Sequence, residues 1–298
     1  MATAQKQRNC MSAVVFPKKI ATEQQSLMLV KRLLAVAVSC ITYLRGIFPE
    51  SAYGTRYMDD VCVKILREDK NCPGSSQLVK WMLGCYDALQ KKYLRQIVLA
   101  VYTQPEDPQT VTECYHFKFK YTHHGPLLDF GRDPCGSPIP CLDTRKASIL
   151  LIRKIFVLMQ NLSPLPSDVC LTMKLLYYDE VTPPDYQPPG FREAKCEGLM
   201  FNEEPTHLNV GEVPTPFHLL KLKITTEKQR LENVEKKNSI FSFQVDHLAQ
   251  KTSELVVSES RTRSGKIFQS CLVHQAELSS SQDVLPKRRK LSEPKERF

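Results

Sequence analysis

The stretch "LLYYDEVTPPDYQPPGF", Leu175–Phe191, decides the fold. It opens as the end of a strand, since "VCLTMKLLYY", Val169–Tyr178, is rich in β-branched, aliphatic and aromatic residues. It then turns into a crossing that carries Pro183, Pro184, Pro188 and Pro189, before new strand-like pieces "THLNV", Thr206–Val210, and "FHLLKLKIT", Phe217–Thr225. Each proline fixes φ near −65° and removes a backbone donor, so this chain is stiff and unpaired. A long, proline-stiffened connection whose ends must both return to a sheet is unusual in a compact domain. It reads as a loop that spans something, with the prolines lowering the entropy lost on ordering.

Upstream, "TEQQSLMLVKRLLAVAVSCITYLRGIF", Thr22–Phe48, offers Thr22 as an N-cap and sets Leu27, Val30, Leu34, Ala37, Ile41 and Leu44 at helical spacing, with Pro49 just beyond the end. This predicts a long, largely buried helix, whose apolar run "LLAVAVSCI" is too short to span a membrane. "YMDDVCVKILRED", Tyr57–Asp69, fits a short helix or an extended piece, and "CPGSS" a turn. A second helix is predicted over "SQLVKWMLGCYDALQKKY", Ser76–Tyr93, with Leu78, Met82, Cys85 and Leu89 on one face. "RQIVLAVYT" and the alternating "ECYHFKFKYT" read as strands that pair as a hairpin. "HHGPLLDFGRDPCGSPIPC", His123–Cys141, reads as an exposed loop. A third helix, capped by Asp143 or Thr144, follows through "RKASILLIRKIFVLMQNL" and stops at Pro164 and Pro166.

Downstream of residue 226 the character changes. From Glu227 to Phe298 there are 14 Lys or Arg against 10 Asp or Glu, without sustained periodicity, which predicts a disordered tail. The tail's positive excess is confined to "PKRRKLSEPKERF", Pro286–Phe298. The whole chain has a formal net charge of +9, but acids alternate with bases over most of it, so direct DNA binding by the core is not expected. Eleven cysteines lack C-x-x-C spacing and no apolar leader precedes them, so they are expected to be reduced thiols. His123, His124, Cys135 and Cys141 have no spacing that fixes a metal site. Phosphate loops, dinucleotide fingerprints, nucleophile elbows and zinc-protease helices are all lacking. No cofactor and no enzymatic activity are expected.

The order of elements resembles the HORMA domain, an α+β fold of helices packed on a mostly antiparallel sheet. The segments "SLMLVKRLLAVAVSCITYLRGIFPE", "RYMDDVCVKILREDKNCPGSSQLVKWMLGCYDALQKKYLRQIVLAVYT" and "LLYYDEVTPPDYQPPGF" are similar to those of the mammalian meiotic chromosome-axis HORMA proteins. "KTSELVVSESRTRSGKIFQ" and "LPKRRKLSEPKERF" resemble the longer of the two paralogues, although that family's acidic linker is mostly missing.

The resemblance implies three regions: a leader at 1–21, a HORMA domain at 22–226 and a tail at 227–298. The domain's C-terminal part, about 185–225, would be a "safety belt" that encircles a short closure motif while that peptide adds a strand to the sheet. Pro183, Pro184, Pro188 and Pro189 would stiffen the belt's leading end. A closure motif is implied at the chain's own C-terminus, with Leu285, Leu291 and Phe298 as its large apolar residues.

The implied role is that of a non-enzymatic adaptor in the nucleus, on unsynapsed meiotic axes, supporting double-strand-break formation, homologue pairing, synapsis and checkpoint signalling. Its partners would be closure motifs of its own tail and of other axis proteins, related HORMA proteins, the cohesin-based axis and an AAA+ ATPase that pulls on the leader; no membrane is involved. Two other readings remain: a HORMA adaptor of DNA repair or the spindle checkpoint, lacking a self-directed tail motif, and a nuclear nucleic-acid-binding protein, with salt-dependent DNA affinity. Ser280, Ser281 and Ser292 are candidate phosphorylation sites, Ser281 because it precedes Gln282.

Lys287, Arg288, Arg289 and Lys290 form a compact basic cluster that reads as a nuclear-import signal. Changing all four to Ala should leave a fluorescently tagged chain largely cytoplasmic. Unchanged nuclear accumulation on imaging would remove the assignment.

Overall fold

A computed structural model describes residues 20–58, 61–122, 144–166, 168–194, 198–231 and 290–296. Asp59 and Asp60, the loop at 123–143, and the tail residues Ser280, Ser281, Leu285, Lys287, Arg288, Arg289 and Phe298 lie outside them.

Helix α1, Glu23–Leu44, starts in a capping box: Thr22 Oγ1 accepts from Gln25 N at 3.2 Å while Gln25 Oε1 accepts from Thr22 N at 3.4 Å. By length and composition α1 is long and apolar enough to cross a membrane, contrary to the short apolar run read from sequence. In the fold, however, Leu29, Val30, Leu33, Leu34, Ala37 and Ile41 are core residues. Helices α2, Pro73–Gln90, and α3, Thr144–Asn161, bury Leu78, Trp81 and Cys85, and Leu151, Ile152 and Ile155. Helix α2 starts earlier than the sequence suggests because its first residue, Pro73, tolerates the missing N–H and has helical φ.

The stretch read as helix or extended piece is a hairpin. Strands β1, Tyr53–Met58, and β2, Val61–Leu66, pair antiparallel, and the alternation of Val61, Val63 and Ile65 favours the pleat. Ser39 Oγ on α1 accepts from Leu66 N at 3.0 Å.

The main sheet contains β3, Leu94–Tyr102; β4, Glu113–Tyr121; β5, Cys170–Tyr177; β6, Phe191–Glu193; β7, Pro205–Pro214; β8, His218–Glu227; and β9, Leu291–Pro294. Its order is β6-β9-β5-β3-β4-β8-β7, and every pairing is antiparallel. The two late strands are each ten residues long, more than the short pieces expected. On β3, Ile97, Leu99 and Val101 face the helix-covered core, while Val98, Ala100 and Tyr102 face the other side.

Because β6 and β7 lie at opposite edges, the chain between them must cross the sheet. It does so over that second face, where Leu199 and Phe201 pack against Val98, Ala100, Tyr102, Val111 and Cys114. Met200 fastens the crossing through its carbonyl to Val111 N at 2.8 Å and its N–H to Gln109 O at 2.9 Å.

A buried ionic cluster closes the far end. Arg45, the C-cap of α1, donates to Glu113 Oε1 at 2.6 Å and Oε2 at 3.1 Å, and to Ser163 O at 2.6 Å. Tyr115 OH donates to Glu113 Oε2 at 2.5 Å, and Arg230, beyond β8, donates to Glu113 Oε1 at 3.3 Å and to Ser163 O at 2.9 Å. A carboxylate with no exposed surface is tolerable only with such partners. The described cysteines are free thiols, and burial pushes Cys40 and Cys114 up to about 12.

Two histidines make the fold sensitive to acid. Burial, with Lys118 adding to it, lowers His116 from 6.5 to about 4. Burial against an opposing Glu23 does the same to His218, whose Nδ1 lies 2.6 Å from Ser26 Oγ. Between those values the unfolded chain binds protons that the fold refuses, so stability is full above pH 6.5 and declines as pH falls towards about 4. Urea midpoints measured over that window should fall, and fall less for His218→Gln than for the parent chain.

Candidate peptide-binding site

Tail strand β9 occupies the slot between β5 and β6. On one side Ser292 pairs with Leu175 and Leu291 with Leu176; on the other, Pro294, Glu293 and Ser292 pair with Phe191, Arg192 and Glu193. Further main-chain bonds run from Ala194 N to Leu291 O and from Lys295 N to Gly190 O, both at 3.0 Å. Gly190 has φ of 81°, which a side chain would strain, and its carbonyl serves the incoming strand.

Alternation sends Ser292 and Pro294 towards the helix-covered face, level with Leu175 and Phe191, and Leu291 and Glu293 to the other. Leu291, Ser292 and Pro294 are buried. Glu293 accepts from Arg192 Nε at 3.0 Å and Nη2 at 2.8 Å, a half-exposed pair of small energetic weight.

Lys290 precedes the strand and is held most closely. Its N–H donates to Asp179 Oδ1 at 3.0 Å, and its ammonium donates to the carbonyls of Pro183 at 2.6 Å and Pro184 at 2.9 Å. No regular ladder claims this segment; Pro183 O also accepts from Tyr186 N at 3.1 Å, and its second lone pair serves the ammonium. The ammonium also lies 5.7 Å from the centre of the Tyr186 ring. Partial burial lowers its pKa, opposed by Asp185 and Glu193. Tyr186 is itself a post: its hydroxyl donates to Asp87 Oδ2 at 2.6 Å, and its ring meets Tyr93 edge-on at 4.9 Å and Tyr177 at 5.9 Å.

Helix α2 supports the other wall. Gly84 faces the crossing so closely that an added Cβ would lie 2.5 Å from Pro189 O and 2.7 Å from the Phe191 ring. With its amide carbonyl turned towards Trp81, Gln77 accepts from the indole at 3.0 Å and donates to Glu296 at 3.2 Å.

The four prolines singled out from sequence therefore line the start of the crossing, and Leu291, Ser292 and Lys290 are brought to the same slot. The sequence puts Lys290 both in the import cluster and at the start of the closure-motif segment "KLSEPKERF", but gives no sign of Asp179, Tyr186, Asp87 or Gly84 as its surroundings. Gly84 had left a signal: a glycine inside a helix costs about 1 kcal/mol relative to alanine and asks for a packing reason. Among the described residues no cluster of His, Cys, Asp and Glu could hold a metal ion.

A seven-stranded antiparallel sheet that holds a late strand between two others defines a class of fold, and its relatives identify the family. The HORMA domain family matches residues 26–218, and the chain belongs to that family. It is 56% identical to HORMA domain-containing protein 1 of Sus scrofa, over 99% of this chain and 100% of that one. The Homo sapiens protein of the same description is 54% identical over 99% and 100%, and the Xenopus laevis one 70% identical over 85% of this chain and 65% of its own length. The Sus scrofa alignment runs over 392 positions against the 298 residues here, so that relative carries residues this chain lacks. Two solved Caenorhabditis elegans structures share the fold at 18% identity. HTP-1 bound to a HIM-3 closure motif has a TM-score of 0.60 over 71% of this chain and 94% of that one. HTP-2 bound to HTP-3 closure motif 1 has 0.61 over 72% and 90%.

Gly84→Ala tests the closeness of the wall. Overpacking of this kind costs about 1–3 kcal/mol, more than the helical gain from alanine. Hydrogen exchange should quicken at 188–194 and 290–296 and stay slow in α2; unchanged exchange at both segments would count against a tight wall.

Proposed function

We propose that this chain is a peptide-capturing adaptor of the meiotic chromosome axis, and that residues around 290–296 act as a closure motif held by a belt of about 185–225. The observation that carries this reading is β9 itself, a tail strand paired on both sides, to β5 and to the short β6. Main-chain bonds give the capture affinity, while the Leu291 side chain and the Lys290 clasp give it selectivity. The relatives described as HORMA domain-containing protein 1 support the assignment to that group.

Strand β9 lies in the slot of its own chain. In the cell, the same slot would also take the tail of another copy or the closure motifs of other axis proteins, once the intramolecular strand has left. Attachment to the same chain favours the internal tail over free peptide, so assembly needs either a high local density of partners or a remodelling ATPase acting on the leader. On this reading the adaptor serves break formation, homologue pairing, synapsis and checkpoint signalling from the nucleus.

The test is calorimetric titration with a peptide of residues 285–298. A chain truncated before Leu285 should bind it, the intact chain should bind it far more weakly, and a Leu291→Ala peptide should lose about tenfold or more, since burying a leucine contributes roughly 1.5–3 kcal/mol. If the truncated chain ignores the peptide, the capture reading fails. Steep salt-dependent DNA affinity in its place would favour the nucleic-acid reading.

A further inference from the structure

Ser292 sits at the centre of the slot with no exposed surface, and its hydroxyl has no hydrogen-bond partner. The Tyr177 hydroxyl is buried and unpartnered too. Burial raises the pKa of Tyr177 and the nearby Ser292 hydroxyl opposes the rise as a hydrogen-bonding neighbour would, although the two hydroxyls fall short of regular hydrogen-bond geometry. Glu193 is opposite Ser292 in the ladder. The main-chain ladder on both sides of Ser292 does not depend on its hydroxyl, and buried polar groups without a regular hydrogen bond are rare enough to ask for a reason. The preceding residues suggest one: Arg289 and Arg288 lie three and four positions before Ser292, with Lys287 and Lys290 beside them, a basic approach that suits a serine kinase with an acidic substrate groove.

Resting on the capture reading above, we infer that phosphorylation of Ser292 by a basophilic serine/threonine kinase is the release switch of the tail strand. The kinase transfers the γ-phosphoryl group of ATP: the Ser292 Oγ–P bond forms, the bridging oxygen departs with ADP, and the hydroxyl proton passes to the kinase's base. The product carries roughly −1.5 to −2 charges. In the slot it would be a dianion without water, opposite an acidic residue and on the face packed by apolar side chains. Closed tails are thus shielded from the kinase, and modified tails are barred from the slot. The same exclusion holds for a tail offered by another copy.

The test uses the full chain made with phosphoserine at 292, beside the parent and Ser292→Ala, with hydrogen exchange read at 190–194 and 290–296. Parent and Ser292→Ala should be protected alike, and phosphoserine should speed exchange at both segments by about 100-fold or more. A phosphoserine chain that stays protected overturns the switch and leaves capture standing; an unprotected parent overturns capture and the switch together. In parallel, the catalytic subunit of cyclic-AMP-dependent kinase with MgATP should modify a 285–298 peptide quickly, the parent chain slowly, and Gly84→Ala at an intermediate rate. Equal rates for peptide and parent overturn the shielding, and a peptide left unmodified overturns the basophilic assignment.

Discussion

Strand β6 has three residues and takes its sheet pairing from β9, not from β5. That is the constraint on which the functional half of the molecule depends. A strand this short cannot hold a place by itself, and β5 would present an open edge to solvent without an occupant. The fold therefore leaves a slot one strand wide, and a single extended peptide satisfies both sides at once. Backbone bonding alone would accept any sequence. The choice is narrowed where side chains meet fixed walls: Leu291 in a buried position, Pro294 against Phe191, and an ammonium before the strand aimed at two carbonyls.

Those carbonyls link the prolines to the recognition of charge. Pro183 and Pro184 cannot donate, so the segment is excluded from a regular ladder, and its acceptors remain open to a guest. Tyr186, fixed to Asp87 and set edge-on against Tyr93 and Tyr177, keeps that segment against α2. A clasp made of backbone oxygens suits a lysine, whose compact ammonium has three donors to distribute and no planar fork to align. Arginine at 290 would be a poorer guest for the same reason.

Much of the scaffold was legible in sequence because it follows from local pattern. Thr22 caps α1, the alternation of Tyr115, Phe117 and Phe119 makes β4, and β3 and β4 pair as neighbours in sequence do. The β1–β2 hairpin was ambiguous, since a six-residue apolar run fits either period. The site was legible only in part. Its proline-rich crossing stands out by composition, but Lys290 meets Pro183, and Gly84 meets Pro189, across separations that no local rule reports. Glu113 and Arg45 illustrate the same limit in the core: each looks like an ordinary surface charge until the fold buries both.

The crossing is unevenly fastened, and this determines where it can open. Past the crossing, beyond β8, Arg230 joins the Glu113 cluster, which also holds α1 and the end of α3, so release there would take one cationic partner from a buried carboxylate. The crossing's middle is held by Met200 and by Leu199 and Phe201 on the second face of the sheet. The leading end, by contrast, pairs through β9 and touches α2 at Gly84 and, through the Tyr186 hydroxyl, at Asp87. Losing the guest strand removes the pairing of β6 and the Lys290 clasp together while leaving the other two fastenings intact. On the proposed capture reading, opening would begin between Asp179 and Ala194, and the hairpin of β7 and β8 would stay on the sheet while a peptide is exchanged.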